Sequence, residues 1–194
     1  MNYLFHLYLS ADTPAELVGS VLGDFVKGRL DTTYAPDVTR GVVLHRRVDS
    51  FSHGHPAVRR SRLRIDAAYG HCRGVLVDVY YDHFLARTWE RHHPVPLHAF
   101  ARHVYEALES HLPLLPIPMQ QMVARMTAHD WLTSYRDEAI IARVLERLSL
   151  RLRRPNILAS GAGELRRNYA GLEEDFEEFR GAAVTYVNSL KGEV

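Results

Sequence analysis

The chain has 194 residues, of which 46% are hydrophobic and 24% are charged, and its formal net charge is +1. This composition is typical of one globular domain with a sizeable core, and it excludes a polycation that attracts acidic partners through its overall charge. Cys72 is the single cysteine, so an intramolecular disulfide is excluded and a reducing cytoplasm is favoured. We therefore expect one domain over residues 1–194, located in the cytoplasm.

The N-terminal stretch MNYLFHLYL lacks the basic region and the long apolar core of a signal peptide. No apolar run elsewhere is long enough to cross a bilayer, so we expect no membrane association. Within the stretch, His6 lies among Leu4, Phe5 and Leu7. An imidazole in such surroundings either makes a buried hydrogen bond or binds a metal ion.

The segment TPAELVGSVLGDFVKG predicts a helix, because Thr13 can cap its start, Pro14 suits the first position and Gly28 can end it. On that helix Asp24 would share a face with Leu17 and other small or apolar residues. A carboxylate on such a face either caps a neighbouring helix or binds a cation.

The stretch GVVLHRRVDSFSHGHP begins within the second predicted helix, which covers residues 37–51. His45 and Asp49 are four residues apart, so they share one face of it beside apolar residues. Arg46 and Arg47 project towards the other side. A single histidine on such a face is usually a hydrogen-bonded core residue. Two other predicted helices also carry carboxylates on apolar faces, however, and together they favour a functional site.

The segment RGVLVDVYYDHFLARTWERH predicts a helix on which Asp78 and Asp82 share a mostly apolar face with Leu85 and Trp89. An unpaired carboxylate there would be costly to remove from water, so each one needs an arginine or a metal ion. The two alternatives are equally compatible with the pattern.

The remaining apolar residues also recur at helical spacing, without strand alternation, and the breaks fall at prolines. The fold class is therefore predicted to be all-α, a single-domain bundle of roughly seven or eight helices. Further helices are predicted at residues 55–69, 96–112, 119–135, 136–152 and 163–190.

These segments together offer imidazoles and carboxylates from four predicted helices. That mixture suits a divalent ion such as Mn²⁺, Mg²⁺ or Fe²⁺, whereas zinc is less favoured without a cysteine cluster. An ion of this kind could polarise a phosphoryl oxygen and lower the pKa of a bound water. The reaction class that follows is phosphoester hydrolysis.

Five separated stretches occur in an order that is similar to the acyl carrier protein phosphodiesterase family: MNYLFHLYLS, GSVLGDFVKG, GVVLHRRVDSFSHGHP, DVYYDHFLARTW and HDWLTSY. The resemblance runs from the N terminus to about residue 135 and implies a metal-dependent hydrolase, typically using Mn²⁺. It also implies removal of the 4′-phosphopantetheine arm from holo acyl carrier protein. The implied fold resembles a divergent HD-domain phosphohydrolase.

The resemblance, read with the helical faces, gives a set of candidate site residues. We expect Asp24, His45 and Asp78 to be catalytic, and Asp49 and His83 to orient the groups in contact with the ion. The expected metal ligands are His6, Asp24, His45, Asp78 and Asp82.

Arginines are concentrated in the stretch RRSRLR, which follows Arg46 and Arg47 closely. Acyl carrier protein is small and acidic, so an arginine surface would steer and orient it, and arginine suits bidentate contacts with phosphate. The expected phosphate- and partner-binding residues are Arg46, Arg47, Arg59, Arg60, Arg62 and Arg64. A solvated basic helix face is the simpler alternative. Nucleic acid is not expected, because the net charge is near zero and no nucleic-acid motif is present.

Two other functions are compatible with the residues alone. The same bundle could hydrolyse a small phosphorylated metabolite or a nucleotide, or it could be a non-catalytic binding module whose carboxylates all form salt bridges. The sequence leaves the oligomeric state open.

Overall fold

A computed structural model describes residues 3–30, 33–152 and 155–191, so the first two residues of the N-terminal motif lie outside the described residues. All regular structure in the described ranges is helical, which confirms the predicted all-α class. The described residues form ten α-helices, which are α1 Tyr3–Leu9, α2 Pro14–Leu22, α3 Pro36–Gly54, α4 Pro56–Arg64, α5 Cys72–Thr88, α6 Leu97–Ser110, α7 Ile117–Ala128, α8 Trp131–Ser134, α9 Glu138–Arg151 and α10 Ala162–Lys191.

The chain forms two compact units. We call Tyr3–Ser50 with Thr88–Ser134 the N-terminal unit, and Phe51–Arg87 with residues 135–191 the C-terminal unit. The single domain expected over residues 1–194 stays a prediction. In the described part of the chain, no helix combines the length and the apolar character that a membrane crossing requires.

The N-terminal unit is built around α2 and α6. Helix α1 packs on α2, α2 packs on α6, and α6 also contacts α7 and α8. The buried residues Phe100, Val104 and Leu108 of α6 recur every four positions, which gives this helix the apolar face that it turns to its neighbours.

Helix α2 begins as predicted and ends earlier. The hydroxyl of Thr13 accepts a hydrogen bond from the backbone amide of Glu16, but the helix stops at Leu22 and does not continue to Gly28. The expectation that Asp24 lies on a face of this helix is therefore wrong. Gly23 disfavours continuation of the helix. The amides of Asp24 and Phe25 donate to the carbonyls three residues before them, and these hydrogen bonds close the last turn.

Glycines allow α2 and α3 to approach each other very closely. A β-carbon on Gly19 would lie 2.0 Å from the carbonyl oxygen of Val38, and one on Gly41 would lie 2.3 Å from that of Glu16. The backbones themselves are in contact here, so no larger residue fits at either position. This contact fixes α3, and the histidine it carries, against α2.

The helix predicted over residues 119–135 is broken in the structure. Asp130 takes a left-handed conformation with φ of 42°, and α7 and α8 lie on either side of it. The Tyr105 hydroxyl donates to the Asp130 carboxylate at 2.9 Å and accepts from the Leu132 amide at 2.9 Å. Aspartate tolerates this conformation better than most residues, and the tyrosine holds it in place.

The C-terminal unit is organised around the long helix α10, which packs against α4 and α9. Asp175 of α10 is buried and accepts hydrogen bonds from Arg60 Nε at 2.9 Å, Arg64 Nε at 2.8 Å and Ser61 Oγ at 3.1 Å. One carboxylate therefore joins three side chains of α4 to α10.

Candidate metal centre

Four side chains from three separate stretches meet in the N-terminal unit. His6 Nε2 lies 3.1 Å from Asp49 Oδ1. His45 Nε2 lies 3.3 Å from Asp49 Oδ2 and 3.6 Å from Asp24 Oδ1. Helix α1, the loop after α2, and helix α3 thus each contribute to one group of two imidazoles and two carboxylates.

The two imidazoles stack almost parallel, with ring centroids 3.8 Å apart and an angle of 15° between the planes. One possible ligand atom from each of His6, His45 and Asp49 lies within 4.8 Å of the others. Both histidines are buried, whereas the side chain of Asp49 is 58% exposed. The group therefore has a dry base and one edge that water and a substrate can reach.

The backbone of α2 determines which nitrogen of His45 carries hydrogen. His45 Nδ1 lies 2.7 Å from the carbonyl oxygen of Ser20, which can only accept, so Nδ1 must be the donor. In the neutral ring, Nε2 then keeps its lone pair and faces Asp24 and Asp49. A lone pair facing two carboxylates is stable only with a cation between them, either a proton or a metal ion.

Burial and the carboxylates act in opposite directions on the two imidazoles. Burial lowers the pKa of His6, and the hydrogen bond to Asp49 offsets this only in part. Burial also lowers the pKa of His45, but the hydrogen bond to Asp49 and the charge of Asp24 outweigh it, so the net change is upward. The pKa of Asp49 is lowered because hydrogen bonds from His45 and His6 outweigh its burial.

Two buried polar atoms of the group have no hydrogen-bond partner in the described part of the chain. They are His6 Nδ1 and Asp24 Oδ2. Buried polar atoms normally have partners, so their isolation indicates that the group is incomplete as it stands. Imidazole nitrogens with carboxylate oxygens are the donor set of a borderline or hard divalent ion, and three members of the group, His6, His45 and Asp49, could hold one.

Gly23 makes room for the His45 ring. A β-carbon on this residue would lie 2.4 Å from His45 Cγ, which is closer than real atoms come. The glycine that ends α2 therefore also lets the imidazole pack against the chain next to Asp24.

Asp49 is the site residue that sequence reasoning undervalued. It was expected to orient His45, but it contacts both imidazoles directly and belongs to the group that could hold an ion. The four-residue spacing from His45 was the signal for this role, because it puts both side chains over the same turn of α3. Its reach to His6 depends on how α1 packs, which spacing does not encode.

The other residues predicted to bind or orient the metal ion lie on α5, in the C-terminal unit. Asp82 and His83 are fully buried and Asp78 is half-buried. His83 donates from Nδ1 to the carbonyl of Tyr135 at 2.8 Å and accepts at Nε2 from the hydroxyl of Tyr169 at 3.0 Å. Burial lowers the pKa of His83, so it is neutral. The roles predicted for these three residues stay predictions.

The predicted arginines have different surroundings. Arg46 is half-buried and bonds to backbone carbonyls, whereas Arg47 is exposed. Arg60 and Arg64 are engaged by Asp175, and Arg60 also contacts Glu178.

Arg62 is half-buried and its Nε has no partner among the described residues, while Arg59 is exposed. Two of the four arginines of α4 therefore hold that helix to α10. The predicted binding role of all these arginines stays a prediction.

A protein-family model described as acyl carrier protein phosphodiesterase matches residues 1–182 of this chain. The chain belongs to this family. Relatives named acyl carrier protein phosphodiesterase include those of Photorhabdus laumondii, 33% identical over 92% of this chain and 91% of the relative, and of Serratia proteamaculans, 34% identical over 92% and 93%. The relative from Yersinia pestis is likewise 34% identical over 92% and 93%. No solved structure matches the chain, so the likeness to HD-type hydrolases stays a prediction.

Proposed function

We propose that this protein is a metal-dependent phosphodiesterase that removes 4′-phosphopantetheine from holo acyl carrier protein. Water adds to the phosphorus and the bond between phosphorus and the serine oxygen breaks. The serine oxygen takes up a proton from that water and becomes the hydroxyl of the apo protein, and 4′-phosphopantetheine leaves with the oxygen of the water on its phosphate. The observation that carries the proposal is the stacked pair His6 and His45 with the carboxylates of Asp24 and Asp49, in a chain of this family.

The ion we propose is Mn²⁺, with Mg²⁺ or Fe²⁺ as alternatives of similar ligand preference. His6, Asp24, His45 and Asp49 would hold it, whereas the ligand roles of Asp78 and Asp82 stay predictions. When bound, a divalent ion supplies a Lewis acid that withdraws charge from the phosphoryl group and makes water more acidic.

The protein groups have distinct tasks in this proposal. Ser20 keeps the proton of His45 on Nδ1, so Nε2 stays turned towards the carboxylates. Asp49 stays ionised because its pKa is lowered by the two imidazoles, and its exposed carboxylate can accept a hydrogen bond from the incoming water. The exposed edge at Asp49 is the side from which we expect the substrate to enter.

We propose the exposed arginines as contacts for the acidic carrier protein. Arg47 and Arg59 are exposed and could contact the carrier's acidic surface, and Arg47 projects from the side of α3 opposite His45 and Asp49. Arg62 is half-buried, so we expect a smaller contribution from it. Arg60 and Arg64 have carboxylate partners within the protein, so we expect a smaller contribution from them. We also propose that the enzyme is located in the cytoplasm, which its single cysteine, Cys72, favours.

The deciding experiment is mass spectrometry of holo acyl carrier protein incubated with the enzyme and Mn²⁺. We expect the wild type to produce the apo protein, and Asp24→Ala to lose this activity. Asp37→Ala is the matched control, because Asp37 is an exposed aspartate of the same unit that pairs with Arg40. No apo product from the wild type, or full activity in Asp24→Ala, would contradict the proposal. Cleavage of nucleotide diesters without cleavage of the carrier would favour the small-molecule alternative.

A further inference from the structure

The loop after α2 is held to α3 by one arginine. Arg46 donates from one terminal nitrogen to the carbonyl oxygen of Gly28 at 2.8 Å and from the other to that of Val26 at 2.8 Å. Between these contacts the chain makes a sharp turn, because Gly28 has a left-handed conformation with φ of 76°. The planar guanidinium suits this task, since its two terminal nitrogens can reach two carbonyls at once.

The same loop carries one carboxylate of the candidate metal centre. Asp24 lies two residues before Val26, outside any helix, and its Oδ1 is 3.6 Å from His45 Nε2. Arg46 directly follows His45 along α3. A single turn of α3 thus supplies an imidazole of the centre and the clamp on the loop that brings the carboxylate to it.

We infer that Arg46 is a positioning residue of the metal centre, which holds Val26 and Gly28 so that the Asp24 carboxylate faces His45. The inference rests on the proposed metal binding. It assigns Arg46 a task different from the phosphate contact expected from its basic character. Both terminal nitrogens of its guanidinium already donate to backbone carbonyls. A positioning residue affects the affinity for the metal ion, whereas a phosphate contact affects the binding of the substrate.

The test compares Mn²⁺ binding by the wild-type protein, Arg46→Ala and Arg46→Lys, measured as free Mn²⁺ by electron paramagnetic resonance. We expect Arg46→Ala to weaken Mn²⁺ binding by about 10- to 100-fold, the range for losing a group that orients a ligand. Arg46→Lys should restore part of the affinity, because an ammonium can hold one carbonyl. Arg40→Ala is the control, since Arg40 is an exposed arginine of α3 that pairs outside the centre, with Glu16 and Asp37.

A double-mutant cycle with Asp24→Ala tests whether Arg46 acts through that carboxylate. If it does, removing Arg46 from the Asp24→Ala protein causes little further loss of Mn²⁺ affinity, because the two effects are coupled. An equal loss in both backgrounds would mean that Arg46 acts by another route, and would overturn the inference. Circular dichroism shows whether each variant folds, and Arg46→Lys replaces Arg46→Ala in the cycle if the alanine variant does not.

The remaining outcomes are also decisive. Wild-type Mn²⁺ affinity in folded Arg46→Ala would overturn the inference and leave the proposed function intact. A raised KM with unchanged Mn²⁺ affinity would also overturn it, and would favour the phosphate contact expected from the sequence. A wild-type protein that binds no Mn²⁺ would overturn the proposed use of this ion, and the inference with it.

Discussion

His45 is the residue on which the candidate centre depends, because its two ring nitrogens and its ring plane each make a separate contact. Nδ1 is fixed by the Ser20 carbonyl, Nε2 faces the two carboxylates, and the ring plane stacks on His6. A substitution can therefore remove one of these functions and retain another.

We predict that His45→Asn abolishes the centre while the protein still folds. The asparagine amide can replace Nδ1 as a donor to Ser20, but nothing replaces Nε2. Mn²⁺ affinity, measured by calorimetric titration, should fall by more than about 100-fold, and carrier-protein hydrolysis should fall with it. His103→Asn is the control, because His103 contacts Asp12 outside the group. Wild-type Mn²⁺ affinity in His45→Asn would contradict the assignment.

The glycine beside Asp24 gives a second prediction for a single residue. Gly23→Ala should destabilise the fold by about 1–3 kcal/mol, the usual range for overpacking, because the new methyl group must displace the His45 ring. Urea denaturation measures this cost, and Mn²⁺ affinity should fall in the same variant.

Gly181→Ala provides the comparison for Gly23→Ala. A β-carbon at Gly181, on α10, meets nothing within 4 Å, so this substitution should be neutral or stabilise by about 0.4–1 kcal/mol. Equal stability of the two variants would show that His45 moves aside without cost.

At the scale of helices, α4 and α10 are joined by charge as well as by apolar packing. Asp175 is buried, while Arg60 and Arg64 keep a third or more of their side chains exposed. Solvent weakens the attraction on the arginine side, so the buried carboxylate is the sensitive partner.

We predict that Asp175→Ala lowers the free energy of unfolding by about 1–3 kcal/mol, the range for hydrogen bonds to a charged group and for unsatisfied partners. Thermal denaturation followed by circular dichroism provides the measurement. Glu174→Ala, at an exposed neighbour on α10, should change stability by less than about 0.5 kcal/mol. If the two variants were equally stable, the network would have no net effect.

The sequence predicted the helices better than their ends. Apolar spacing located α3, α5, α6, α9 and α10 within a few residues, because their buried faces repeat at helical intervals. It missed the early end of α2 and the break at Asp130. The break at Asp130 depends on the contact with Tyr105, far along the chain, and a local pattern contains no record of it.

The candidate centre was predictable in part for the same reason. His6, Asp24 and His45 were expected to bind metal, and the structure brings them together with Asp49. The face predicted for Asp24 was wrong, since its position comes from a loop and not from a helix. The charge of Arg46 predicts a phosphate contact, whereas its contacts are with backbone carbonyls that no spacing rule identifies.

At the scale of the whole molecule, ion binding should appear as thermal stability. After treatment with a chelator, Mn²⁺ at 100 times its Kd should stabilise the protein by about 2.7 kcal/mol, because only the folded chain assembles the group. For a chain of this length with one cooperative transition, that corresponds to a rise in Tm of about 5–11 °C. Differential scanning calorimetry measures it. An equal rise in Asp24→Ala would place the ion elsewhere.

The net charge of +1 makes a different prediction about the substrate. Because the whole molecule hardly attracts an acidic protein, any attraction must come from local arginines and must weaken as salt screens them. We expect the KM for holo acyl carrier protein to rise between low and high salt, and Arg59→Glu to raise KM at low salt and flatten that dependence. Arg143→Glu, at an exposed position on α9, is the control. Identical salt profiles for the two variants would exclude docking at Arg59.

The early end of α2 links the thermal robustness of the fold to its chemistry. The amides that follow the helix bond to the carbonyls of Gly19, Val21 and Leu22, whereas the Ser20 carbonyl accepts from His45. A longer α2 would give that carbonyl to a backbone amide and release the imidazole to rotate. Substitutions that strengthen helices usually raise stability, but here they would remove the support of a proposed metal ligand. Laboratory selection for heat resistance alone should therefore lengthen α2 at the expense of turnover, and selection for turnover should keep it short.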